Sequence, residues 1–141
     1  HSHPNDPQLI NNLAYALALD NRAQEAFEHL NKIKQDISLD EPTRICLMAT
    51  KGLVMFRSGF ADPGRHLYIE AIERTKQAKN QTLNWIAILN YAREEIRIGS
   101  EYIEPVMEAV AKIPIESKDV EVTVLRKDII EAYEKHKQTK T

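Results

Sequence analysis

Few residues of this chain combine a reactive type with a spacing that could do chemistry. Of five histidines, His1 and His3 stand at the start and His136 in a basic tail, which leaves His29 and His66. His66 and Glu70 lie one helical turn apart, as two ligands of a zinc site would, yet no third ligand accompanies them in sequence. They read as a solvated helix pair. The single cysteine, Cys46, has no second thiol for a redox or metal pair and no cation on the adjacent turn to lower its pKa, so it reads as buried or groove-lining. Glu70 with Glu73 and Glu94 with Glu95 are carboxylate pairs of the kind used in acid–base work. Arg74, Lys76, Arg93 and Arg97 flank them, which predicts an exposed, charge-compensated face instead. The chain has no Gly-rich phosphate loop and no Gly-x-Ser-x-Gly turn. The expectation is a protein that is not an enzyme and that holds neither cofactor nor metal.

The elements that would position these residues are helical. The 141 residues carry 43% apolar side chains, with 4 Gly and 6 Pro, enough for a core without disulfides or metal. Lys and Arg number 19 against 21 Asp and Glu, a net charge of -2 with the signs interleaved, so the basic footprint of a nucleic-acid binder is missing. No stretch strings together the roughly 20 apolar residues of a bilayer span. Localisation stays open, the lone cysteine being compatible with a reducing, cytoplasmic compartment. The start at His1-Ser2-His3 suggests a cut or tag-derived beginning, with residues 1–6 disordered.

Apolar residues recur at helical spacing almost throughout. Asp6 and Pro7 read as N-cap and first helical position of a helix to Leu19, and Asp20-Asn21 turns the chain. A second helix is predicted from Arg22 to Ile37 with Ala26, Phe27, Leu30, Ile33 and Ile37 on one face. Asp40 with Pro42, and Asp62 with Pro63, repeat the cap-and-proline start for helices ending at Arg57 and near Lys79. Thr82 to Ile98 makes a fifth helix, stopped by Gly99, and a sixth runs from Glu104 or Pro105 to near Pro114. Val120, Val122 and Val124 alternate as a strand would. No partner strand exists in the chain, and Leu125, Ile129, Ile130 and Tyr133 keep helical spacing, so a terminal helix over 117–137 is predicted with Ser117 as cap and residues 138–141 fraying.

Sliding the chain on itself by 38 residues lays Ala14 over Gly52, Asn21 over Gly59, Ala26 over Gly64, Leu30 over Tyr68 and Ile33 over Ala71. Small residues fall on small ones, as tightly packed hairpins require. With Leu13-Ala14, Ala26, Leu30 and Ile33 in the first unit, Gly52, Gly64, Tyr68 and Ala71-Ile72 in the second, and Leu89, Val106, Ala109-Val110 and Pro114 in the third, residues 7–114 resemble the tetratricopeptide repeat family. Units of 38 residues exceed the family's 34, Lys51 stands where it has a large apolar residue, and Asn90 and Tyr102 replace small ones.

The resemblance implies an all-α, right-handed array of stacked antiparallel hairpins (about 7–38, 41–79 and 82–114) plus the terminal helix. It also implies a binding face on the first helix of each unit: Gln8, Asn11 and Tyr15, then Leu53 and Phe56 beside Cys46 and Ala49, then Asn84, Ala87, Tyr91 and Glu94. Amides that can bond a peptide backbone and rigid aromatics suit that role. The functional expectation is a noncatalytic protein–protein interaction scaffold whose partner is a protein or peptide. The alternative is a regulatory or sensor domain of a larger protein.

Overall fold

A computed structural model describes residues 6–34 and 38–139 of the chain. These form seven helices and, among the described residues, no strand. They are α1 (Pro7–Leu19), α2 (Ala23–Leu30), α3 (Glu41–Arg57), α4 (Ala61–Gln77), α5 (Gln81–Ile98), α6 (Ile103–Ala111) and α7 (Val120–Thr139). The fold is all-α. The valine alternation at 120–124 is helical, with Val122 buried and Val120 and Val124 exposed.

The ends of the helices follow from the residues there. Asp6 and Asp40 cap α1 and α3, accepting from the backbone N–H of Gln8 (2.9 Å) and Thr43 (2.8 Å). Hydrogen bonding to Thr43 holds the Asp40 carboxyl below its usual pKa. Asp62 departs from the cap expected of it. The Phe60 carbonyl already accepts from Gly64 N–H, so α4 has begun before Asp62, whose carboxylate pairs with Arg65 at 2.7 Å. For α7 the cap is Asp119, bonded to Val122 N–H, while Ser117 braces Asp119. The second helix ends at Leu30, where tight bonds from Lys32 to His29 and from Ile33 to Leu30 close its last turn, well before the expected Ile37. The rest of that expectation at residues 35–37, the disordered start at 1–5 and the frayed end at 140–141 lie outside the described residues. At the other end α7 continues to Thr139, whose hydroxyl donates to the His136 carbonyl.

Four helices end in one way. Asn21, Gly59, Lys79 and Gly99 adopt positive φ, and the next residue's N–H reaches back five positions: Arg22 to Leu17, Phe60 to Met55, Asn80 to Thr75 and Ser100 to Glu95. This left-handed stop satisfies carbonyls that the helix end would orphan, and it turns the chain sharply. Asn21 and Gly59, 38 residues apart, therefore share a geometry as well as a place in the repeat.

The chain divides into two units, with the boundary between Arg74 and Thr75 inside α4. In the first, α1 packs on α2 and α3, and α2 on α3. Thr43 at the start of α3 meets Gln8 at the start of α1, while the Arg57 guanidinium near the end of α3 donates to the Leu19 carbonyl (3.3 Å) and to Asn21 Oδ1 (2.9 Å). Helices α1 and α3 thus run parallel, and a cation closes the negative end of α1. Glu41 pairs with Arg74 at 3.2 Å while Gly52 faces Gly64, so α4 runs back along α3.

At that crossing the backbones nearly touch. A Cβ built on Gly64 would lie 2.8 Å from the Gly52 carbonyl oxygen and 2.8 Å from the Phe56 ring, and one on Gly52 would meet Gly64 O and Tyr68 at 3.0 Å. The Phe56 and Tyr68 rings pack tilted, 6.0 Å between centroids. Ala14 and Ala26, at the corresponding repeat positions, are fully buried.

In the second unit α5 packs on α6 and α7. The end of α5 at Gly99 approaches His136 near the end of α7, while Arg126 donates to the Ile113 carbonyl and Tyr133 to Glu104 at the start of α6. Helix α7 therefore runs parallel to α5 and antiparallel to α6, as α3 runs relative to α1. The Tyr133 hydroxyl lies 2.7 Å from both Glu104 oxygens, and this bond to a carboxylate pushes its pKa up to about 12. A folded-state value above the free value of 10 means the bond's stabilisation is complete below pH 10 and is lost between pH 10 and about 12. Alkaline titration of phenolate absorbance should show one phenol ionising later than the rest, and Glu104→Gln should move it back towards 10. Identical curves for the two proteins would remove the bond.

Candidate functional site

The strip expected to face a partner is mostly interior. Asn11, Leu53, Phe56, Asn84, Ala87, Tyr91 and Glu94 are buried, Tyr15 is half-buried and Gln8 alone is exposed. Small and aromatic residues on the first helices of a hairpin array fill the contacts between helices as well as they would fill a groove, and here packing claims them. Leu53 and Phe56 face the chain's own interior. Asn84 donates to Thr75 Oγ1 at 2.9 Å in a buried bond. Asn11 Oδ1 is buried and has no hydrogen-bond partner among the described residues.

The Glu94-Glu95 pair reverses a second expectation. Both side chains are 0% exposed, whereas Glu70 and Glu73 are on the surface as foreseen. Glu95 accepts from the Tyr91 hydroxyl at 2.5 Å and from Ser100 Oγ at 2.7 Å, and Glu94 accepts from Arg93 Nε at 2.8 Å. Ser100 and Tyr91 bracket the left-handed stop at Gly99, so the buried carboxylate ties the end of α5 to its own turn. A buried carboxylate survives only with such donors. The flanking arginines suggested an exposed face, but one of them, Arg93, is itself a donor to the buried Glu94.

His66 is exposed, with Nδ1 2.9 Å from the Asp62 carbonyl, and His29 stands beside Lys32. Cys46 is half-buried on α3. Among the described residues no three His, Cys, Asp or Glu side chains gather as metal ligands would, and no described helix is long and apolar enough to cross a membrane.

The concave feature that remains lies in the first unit. A groove of about 590 Å3 runs between α2, α3 and α4. Helix α3 supplies one wall with Arg44, Leu47, Met48, Lys51, Val54 and Met55, spaced three and four apart so that they form one stripe. Phe27 and Leu30 of α2, the following Asn31, Ile33 and Lys34, then Leu39 and Leu67 complete it. Phe27 is 45% exposed. The floor is apolar and includes two flexible thioethers, a surface that adapts to differing shapes. Lys51, which departs from the repeat pattern, sits on this rim. A smaller hollow, about 240 Å3, is lined by the two capping aspartates Asp6 and Asp40 with Gln8 and Thr43. Those carboxylates already serve helix ends.

No family model matches the chain, nor does any curated protein or solved structure. Burial of the expected strip generates a stability prediction. Tyr91→Ala should lower unfolding free energy by about 3–5 kcal/mol, as loss of a core aromatic does, while Gln8→Ala should leave the urea midpoint unchanged. An unmoved midpoint for Tyr91→Ala would return that side chain to an open face.

Proposed function

We propose that the chain is a noncatalytic protein-interaction module, built as a tetratricopeptide-like array of antiparallel hairpins with a terminal helix, and that it binds a peptide segment or partner helix in the groove of α2, α3 and α4. The observation that carries this reading is the groove: an open, mainly apolar channel with an exposed Phe27 and a methionine-bearing wall. Partner helices commonly lay their apolar face into such channels through anchors spaced three and four residues apart. The array reading is supported by the parallel pairing of α1 with α3 and of α5 with α7, each with a second helix joined by a short turn.

This differs from the sequence expectation in where binding happens. The first-helix strip is taken up by packing, and the open surface is formed where a second helix of one hairpin meets both helices of the next.

The test is selection of peptides from a displayed random library against the protein and against Phe27→Asp and Met48→Asp. Phe27 is exposed, so its substitution should leave the thermal midpoint in place while abolishing capture of most enriched peptides. Equal capture by both variants, or no enrichment on the unsubstituted protein, would overturn the reading. So would a large loss of stability in Phe27→Asp, which would show the groove to be filled by the chain itself.

A further inference from the structure

The described charged residues on the rim of the groove carry one sign of charge. Among the described residues, its lining contains Lys34, Arg44 and Lys51 and no carboxylate, in a chain whose net charge is -2. All three cations are exposed. Lys34 and Lys51 make no ion pair with any described residue, and Arg44 reaches Glu41, outside the lining, only at 4.0 Å. Three like charges around one apolar channel repel each other, and an occupant bringing carboxylates relieves that cost.

Spacing narrows the occupant further. Arg44 and Lys51 are seven residues apart on α3 and border the same stripe, a separation of about 10 Å along the axis at 1.5 Å per residue. A single anionic head group meets one of them. A helix lying along α3 with acidic residues at i and i+7 meets both, and its positions i+3 and i+4 then point between them towards Leu47, Met48 and the channel floor. Lys34 stands on the loop side of the same channel and meets acidic residues on the other flank of such a helix.

Resting on the groove reading above, we infer that the partner is an acidic amphipathic helix, with an apolar stripe flanked by Asp or Glu seven residues apart. The interaction is then partly electrostatic at its edge, which sets orientation and association rate and weakens with salt.

The experiment uses the peptides enriched in the selection described above. They should carry Asp or Glu at a spacing of seven around Leu, Ile, Phe or Met. Replacing the acidic pair by Gln should weaken binding about tenfold at low salt and less at high salt. Lys51→Glu should weaken the acidic peptides by a similar factor, with an unchanged thermal midpoint, and should improve binding of a variant peptide bearing Lys at the matching position. Enriched peptides that are neutral or basic, or Gln variants that bind as tightly as the originals, would overturn the acidic partner while leaving the groove reading in place. A selection that yields no groove binder overturns both.

Discussion

The close approach of Gly52 and Gly64 is the constraint on which the first unit depends. Where two helices cross with a carbonyl oxygen 2.8 Å from the place a Cβ would occupy on Gly64, that position has no room for a side chain, and at Gly52 a Cβ would be crowded at 3.0 Å. That contact fixes how far α4 stands from α3 and which side of α3 it covers. Gly52 and Phe56 point towards α4, while Met48, Met55, Arg44 and Lys51 lie about 40–100° further round the same helix, at 3.6 residues per turn. The groove wall is therefore set by the glycine crossing: it is the side of α3 next to the one α4 packs on, with Met55 at the border between them. Phe56 against Tyr68, with the Arg65 guanidinium 5.9 Å from the Phe56 ring centre, seals the other side.

Around that crossing the architecture is economical in its parts. The same left-handed stop ends α1, α3, α4 and α5, and the same pairing, a hairpin with a parallel third helix beside its first, occurs in each unit. The closures differ. Arg57 holds the carbonyl end of α1, whereas in the second unit a buried carboxylate, Glu95, is held by Tyr91 and Ser100 at the end of α5. One unit finishes a helix with a cation and the other with an internal acid, and each satisfies groups that would otherwise be stranded.

Much of this was legible in the residues. Asp6 and Asp40 announce their caps, and the glycines at 59 and 99 mark stops because left-handed backbone excludes most side chains. The repeat of 38 matched small residue to small residue and turn to turn. What misled was anything that depends on which way a helix is rotated. Asp62-Pro63 has the composition of a helix start, yet Gly59 lets the chain turn early enough for Phe60 to begin the helix. Glu94 and Glu95 look like surface because of their arginine neighbours, but α5 is buried on nearly every side, so charge pattern carries no sense of direction there. Tyr91 and Phe56 recur as groove aromatics would, and the same recurrence serves a core. The groove itself needs three helices and a loop to exist, and no local pattern in the sequence spells out such a meeting.

The measurement that bears most directly on the account is the urea unfolding midpoint of Gly64→Ala. Helix propensity alone favours alanine by about 1 kcal/mol at an interior helical position. The crossing opposes it, because the added methyl meets the Gly52 carbonyl, the Phe56 ring and Met55 Cβ at 2.8 to 3.2 Å. The account predicts a net destabilisation of about 1–3 kcal/mol, the usual cost of overpacking. A variant as stable as the parent or more so would contradict the close contact and, with it, the position of the groove wall.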